Sequence, residues 1–381
     1  MADQELNDKK EPFSSTSEKD LEMSSELKAN KYKYLRLIII ISILILIIIF
    51  IFILIFVTQK KENNDNSNNN PIPKEEDSDK IPIIIDVDES GDDMISYLVA
   101  NISKKYNILG ITTFNPNYCV DEVADVWLRF LEYMNFDAKV YKGAEKPISR
   151  QTNKTSIDFN YLIDFPETNK TVETKNAVDF MVETIKNSKQ KITLFLIAPL
   201  TNFALAYERD HSIINNIKEI IIMGGTKSRG NISFNKKAEY NIYTDAEAAN
   251  IVFNCGIKIK VMGNDVTHKV EFTDEIYQKY KDMNTKSSFF IYNVMNGTYL
   301  SWGDKYLDDP VTFLYHINND LITLKDYYFL VNTTNPDVND TEYGTIYFIE
   351  QNDTLKANVE YSENINLDLY WKTFDSIIKN Y

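Results

Sequence analysis

Short apolar runs alternate along the chain with stretches whose apolar residues recur every three or four positions. The runs are IPIII from Ile81, YNILGITTF from Tyr106, AKVYKG from Ala138, KITLFLIA from Lys191, IKEIIIMGG from Ile217 and IKIKVMG from Ile257. Between them lie helix-period segments, DEVADVWLRFLEYM from Asp121, NAVDFMVETIKN from Asn176, LTNFALAYERD from Leu200 and DAEAANIVFN from Asp245. Strands apolar on both faces and separated by helices predict an α/β fold with a doubly wound, mostly parallel sheet. In such a sheet ligands bind beyond the carboxyl ends of the strands, which directs attention to the residues after each apolar run. From Asp326 onward apolar runs mix with polar turns, predicting edge strands before a final helix around Leu369 to Ile378.

One segment departs from this rhythm. Leu37 to Val57 carries no charge and a single polar side chain, Ser42. At about 1.5 Å per residue it reaches about 30 Å, enough to cross a bilayer as a single transmembrane helix. A head of this length before the span argues for a retained anchor rather than a cleaved signal. Lys28, Lys31, Lys33 and Arg36 flank its N-terminal side and only Lys60 and Lys61 its other side, so the N-terminus is expected in the cytoplasm and the C-terminal domain outside or in a lumen. The Asn-rich, proline-containing stretch that follows has nothing to bury. The expected organisation is a head over 1–36, a membrane span over 37–57, a linker over 58–80 and one domain over 81–381.

Composition narrows the chemistry. With 41 Lys+Arg against 56 Asp+Glu, a net charge of -15, a nucleic-acid partner is disfavoured. Two cysteines and three histidines, all far apart in sequence, cannot build a thiolate or multi-histidine metal site, so any metal must be held by oxygen. Oxygen is concentrated where the first strand ends: IIIDVDESGDD places Asp86, Asp88, Glu89, Asp92 and Asp93 together. Alternation puts Asp86 and Asp88 on one face, and a Ser90-Gly91 turn returns Asp92 and Asp93 at the start of a helix. Clustered carboxylates raise one another's pKa, and a divalent cation, calcium before magnesium, is the natural compensation. The same stretch also resembles the first motif of haloacid-dehalogenase-type phosphatases, with Asp86 as nucleophile and Asp308-Asp309 completing a magnesium site.

DVDESGDD further resembles the DxDPGxDD signature of the nucleoside hydrolases, enzymes that cut the N-glycosidic bond of ribonucleosides. Other segments are similar to that family in the same order: ILGITTFNPN (108–117), GAEKP (143–147), IAPLTNFALA (197–206), IIMGG from Ile221, AEYNIYTDAEAANIVF from Ala238 and MGNDVTH from Met262. The resemblance implies that Asp88, Asp93, Asp309 and the backbone carbonyl of Ile197 ligate calcium. It implies that Asp88 is the base acting on water, that Asp92 grips ribose hydroxyls and that Asn117 positions water and sugar. Asn231, Glu239 and Asn241 would then surround the remaining ribose groups. The substrate would be a ribonucleoside, and members of the family usually assemble as homodimers or homotetramers.

Three features depart from the family pattern. Glu89-Ser90 replaces Pro-Gly in the first motif, and the segment 146–171 lacks the usual Gly-rich lid. Asp308 stands where the imidazole that protonates a departing purine is found, which makes Asp308 the candidate acid and leaves a second reading open, a non-catalytic nucleoside or calcium binder. Other readings stay open for single residues. Asn117 also suits the cap of a helix beginning near Val120, Glu239 a surface helix charge, His268 a structural role, and Trp302 with Phe289, Phe290, Tyr292 and Tyr299 either packing or base stacking. Eight N-x-[ST] sequons, Asn231 among them, lie beyond the span and suit a glycosylating lumen.

Overall fold

The computed structural model describes residues 79–157, 165–232, 236–336, 341–379 and 381, and of Trp302 only the backbone. The head, the span from Leu37 to Val57, nearly all of the linker and the middle of the 146–171 segment lie outside the described residues. Among the described residues no helix is long and apolar enough to cross a membrane.

The chain runs β1 (Ile81–Val87), α1 (Gly91–Ile102), β2 (Tyr106–Thr113), α2 (Val120–Met134), β3 (Val140–Lys142), α3 (Ala177–Asn187), β4 (Ile192–Leu196), α4 (Thr201–Arg209) and β5 (Ile217–Met223). It continues α5 (Tyr240–Thr244), α6 (Ala246–Phe253), β6 (Ile259–Met262), α7 (Asn264–Thr267), α8 (Asp274–Met283), α9 (Lys286–Trp302) and α10 (Pro310–Ile317). Strands β7 (Ile322–Val331), β8 (Ile346–Ile349) and β9 (Val359–Ile365) and helix α11 (Leu367–Ile378) close it. The sheet has nine strands in the order β3-β2-β1-β4-β5-β6-β9-β7-β8. β7 runs antiparallel to both its neighbours, and every other pairing is parallel. The doubly wound, mostly parallel sheet read from the sequence is therefore present. Its closing part differs from expectation, because β9 inserts between β6 and β7 instead of lying at the edge.

Both faces of the sheet are covered. Ile83, Ile85 and Val87 of β1 belong to one apolar cluster with α1, α2, α9, α10 and α11, and Ile84 to the other with α3, α4 and α6. Strand order reverses between β1 and β4, the point at which a doubly wound sheet opens a crevice. The ladders carry on just past the strand ends, where Phe114 N–H donates to Val87 O at 2.8 Å and Ile197 N–H to Asp86 O at 2.9 Å. The segments after β1, β2 and β4 thus leave the sheet side by side.

Candidate active site

The turn after β1 is held from several directions. Ser90 N–H donates to Asp88 Oδ1 at 2.8 Å and Asp88 N–H to Asp93 Oδ1 at 3.0 Å. Ser90 Oγ donates to Asp92 Oδ1 and Asp93 Oδ2, both at 2.5 Å, and the Trp127 indole on α2 donates to the Asp88 carbonyl. This fold-back puts Asp92 and Asp93 in the first turn of α1, where the helix N-terminus favours negative charge. Asp309, which precedes Pro310 at the start of α10, reaches the same place, and its N–H donates to Asp92 Oδ2 at 3.3 Å across 217 residues of chain.

A cavity of about 470 Å³ opens here, within the range of about 300–1,000 Å³ usual for small-molecule sites. Asp88, Glu89, Asp92, Asp304, Asp308, Asp309 and Glu239 line it, and among the described residues no lysine, arginine or histidine does. The far wall comes from the loops after β2 and β5. Asn117 Nδ2 donates to Tyr240 Oη at 2.7 Å, and Asn115 Nδ2 bridges Glu89 Oε1 at 3.1 Å and the same phenol at 3.4 Å. Asn241 Nδ2 donates to the Ile197 carbonyl at 3.0 Å, leaving that oxygen a second lone pair. Glu239 is the N-cap of α5 and accepts from the N–H groups of Asn241, Ile242 and Gly225.

Burial without counter-charge dominates the electrostatics. Burial and then the Asp308 charge push Asp92 up to about 7. Burial, with Asp88 and Asp92 nearby, holds Asp93 well above the usual carboxylate range; burial and the surrounding aspartates do the same to Asp309. Asp88 is also raised, by burial against hydrogen bonds that favour its charge. Glu239 is pushed up to about 7 by burial, partly offset by its three backbone donors. One oxygen from each of Asp92, Asp93 and Asp309 lies within 4.8 Å of the others. Three converging hard oxygens, a carbonyl with a lone pair to spare and a lining without cationic side chains among the described residues fit a divalent metal well.

Asp88, Asp92, Asn117, Ile197, Asn231, Glu239, Asn241, Asp308 and Asp309 all line this one cavity, and Asp93 lies directly behind Asp88 and Ser90. Among the described residues the carboxylates whose oxygens converge are Asp92, Asp93 and Asp309, with Asp88 hydrogen-bonded to Asp93 beside them. Other expectations need correction. Asp86 is fully buried, bonded to Thr112 and Asn202, and absent from the cavity lining, which removes the nucleophile of the phosphatase reading. Asn117 is not a helix cap, since Cys119 caps α2, and Glu239 is buried rather than a surface charge. His268, expected in a structural role, has a partner in the cavity wall, its Nε2 lying 3.6 Å from Asp308 Oδ2. Burial alone would lower this imidazole, but the hydrogen bond and charge of Asp308 raise it above its ordinary value. Sequence reasoning missed Tyr118 and Tyr240, the two rings that line the cavity among the described residues; Phe289, Phe290, Tyr292 and Tyr299 do not. Tyr240 sits inside the quoted AEYNIYT segment, which was the available signal.

Residues 83–372 match the family described as inosine-uridine preferring nucleoside hydrolase. Over 314 residues the chain is 28% identical to the pyrimidine-specific ribonucleoside hydrolase RihB of Escherichia coli strain SE11, covering 78% of this chain and 97% of that protein. Its fold is similar to that of a plant nucleoside hydrolase, with a TM-score of 0.70 at 23% identity over 79% of this chain and 99% of that one. It is also similar to that of a purine-preferring ribonucleoside hydrolase from Gardnerella vaginalis, with a TM-score of 0.69 at 22% identity over 78% and 98%. A match over this span, carried by a cavity that gathers the acids of the first strand with Asp309, places the chain in the inosine-uridine preferring nucleoside hydrolase family, as an N-glycosyl hydrolase of ribonucleosides.

Proposed function

We propose that the domain is a calcium-dependent ribonucleoside hydrolase whose ion is held by Asp88, Asp93, Asp309 and the Ile197 carbonyl, with Asp92 beside them. The observation that carries this reading is the convergence of buried carboxylates on a cavity that, among the described residues, no cationic side chain lines. A bound calcium would lower the pKa of a water molecule and grip the sugar hydroxyls. Asp88 takes a proton from the attacking water. Asn117, oriented by Tyr240, positions that water and the sugar. Asp92, Asn231, Glu239 and Asn241 surround the ribose, and the acidic walls favour positive charge growing on the ring as the C1′–N bond lengthens. Asp308, whose Oδ2 lies 3.6 Å from His268 Nε2, takes the position from which the departing base would be protonated.

A panel of uridine, cytidine, inosine and adenosine, assayed for reducing sugar, tests this reading. Uridine and cytidine come first because the relative RihB is named for pyrimidines. Stripping metal with a chelator should abolish turnover and calcium should restore it; turnover that survives in metal-free protein overturns calcium dependence. A second reading, a nucleoside binder without turnover, is favoured by Asp308 standing where the family carries an imidazole, and the same panel decides it.

The location is a separate proposal. Leu37 to Val57 as a single-pass anchor, with the N-terminus cytoplasmic, would hold the hydrolase outside the cell or in a lumen, and the sequons agree with that side. Membrane fractionation with protease protection tests it; release of the full-length chain by carbonate washing would count against an anchor. A homodimer or homotetramer is the expected assembly, to be read by light scattering.

A further inference from the structure

A second cavity of about 530 Å³ meets the first at Asn231, which lines both. Its character is opposite. Arg229, Lys236 and Lys269 line it, and among the described residues their side chains make no ion pair, although the protein carries a net charge of -15. Among the described residues the one carboxylate in its wall, Asp265, is already engaged by the Lys227 N–H, the Ser228 hydroxyl and the Tyr361 hydroxyl. Asn264, only 3% exposed, also lines it, and neither atom of its amide has a hydrogen-bond partner. A buried amide left unbonded destabilises the fold, and a ligand that completes it offsets that cost. Unpaired cations above an unsatisfied donor form a site for an oxyanion.

We propose that this cavity binds a phosphoryl group on the sugar, so that the substrates include nucleoside 5′-monophosphates. The inference rests on the acidic cavity being the nucleoside site. A phosphate placed among its seven carboxylic acids would be repelled, so a phosphorylated sugar must point that group elsewhere. The 5′ oxygen is borne by the exocyclic carbon and can extend out of a clamped ring past Asn231 into the cationic cavity. The reaction is otherwise unchanged. Water forms the new C1′–O bond and gives up a proton, the C1′–N bond breaks with its electron pair on the base, and the base takes up a proton, giving free base and ribose 5-phosphate.

The test compares uracil release from UMP and from uridine by the full-length protein at low ionic strength. The variant combines Arg229→Ala, Lys236→Ala and Lys269→Ala, and UMP binding is measured in parallel by calorimetry. UMP should be hydrolysed, inorganic phosphate should compete with UMP but not with uridine, and the triple variant should raise KM for UMP about tenfold or more while leaving uridine hydrolysis unchanged. Hydrolysis of uridine without UMP, or equal effects of the variant on both, overturns the proposal even if phosphate alone binds. If neither compound is hydrolysed, the proposed function fails while the subsite is still decided. UMP binding tighter than uridine binding and lost in the triple variant supports it; equal binding of the two overturns it.

Discussion

Tyr240 fixes the direction of two asparagines, since its phenol oxygen accepts from Asn117 at 2.7 Å and from Asn115 at 3.4 Å. Taking the hydroxyl away leaves the Asn117 amide donor without this partner and lets Asn117 turn, while Asn115 keeps Glu89. Tyr240→Phe should therefore lower kcat/KM for the best nucleoside about tenfold, a cost of about 1–1.5 kcal/mol, with little change in melting temperature. Steady-state kinetics beside a thermal scan would separate the two effects. Asp309 carries a heavier load, because it joins the carboxylate trio and also begins α10. Asp309→Asn should abolish stoichiometric calcium binding and cut turnover by roughly 10²–10⁴-fold, and calorimetric titration with calcium reads the first outcome directly. The acids were legible in the sequence because so many carboxylates after a buried strand are anomalous. Tyr240, Trp127 and the His268–Asp308 pair were not, because each acts across the fold and leaves no local pattern.

Close packing of α1 against α9 sets where the acids sit. A methyl group built on Gly91 would come within 2.1 Å of Val294 Cγ1, so only glycine lets the first turn of α1 approach α9 this closely. Gly91→Ala should cost about 1–3 kcal/mol by overpacking, and Val294→Ala in the same chain should recover part of it; urea unfolding of the single and double variants measures both. The strands β1 to β6 were legible because strands buried on both faces carry unbroken apolar runs. β9 was placed wrongly because local pattern states that a strand exists but not which neighbours it chooses.

The buried acids in and behind the cavity also make the domain's stability depend on pH. Burial raises Asp86, Asp92 and Glu239 to about 7, from ordinary values of 3.8, 3.8 and 4.5. Such groups bind more protons in the folded than in the unfolded state, so their contribution is complete below about pH 4 and is lost as the pH rises to about 7. Metal-free protein should accordingly melt at falling temperature across that window, and saturating calcium should flatten the trend, with thermal scans in chelator and in calcium as the check. A fall on acidification instead would mean that other groups dominate.

Asp92 and Asp93 lie near the beginning of the folded chain and Asp309 in its last third, yet they share one small volume. An ion seated there would work as a removable staple, closing most of the domain into a single ring much as a disulfide does. Scarcity of calcium would then do more than silence the enzyme: it would unclasp the ring and expose the chain to proteolysis, tying the protein's lifetime to the ion content of its surroundings.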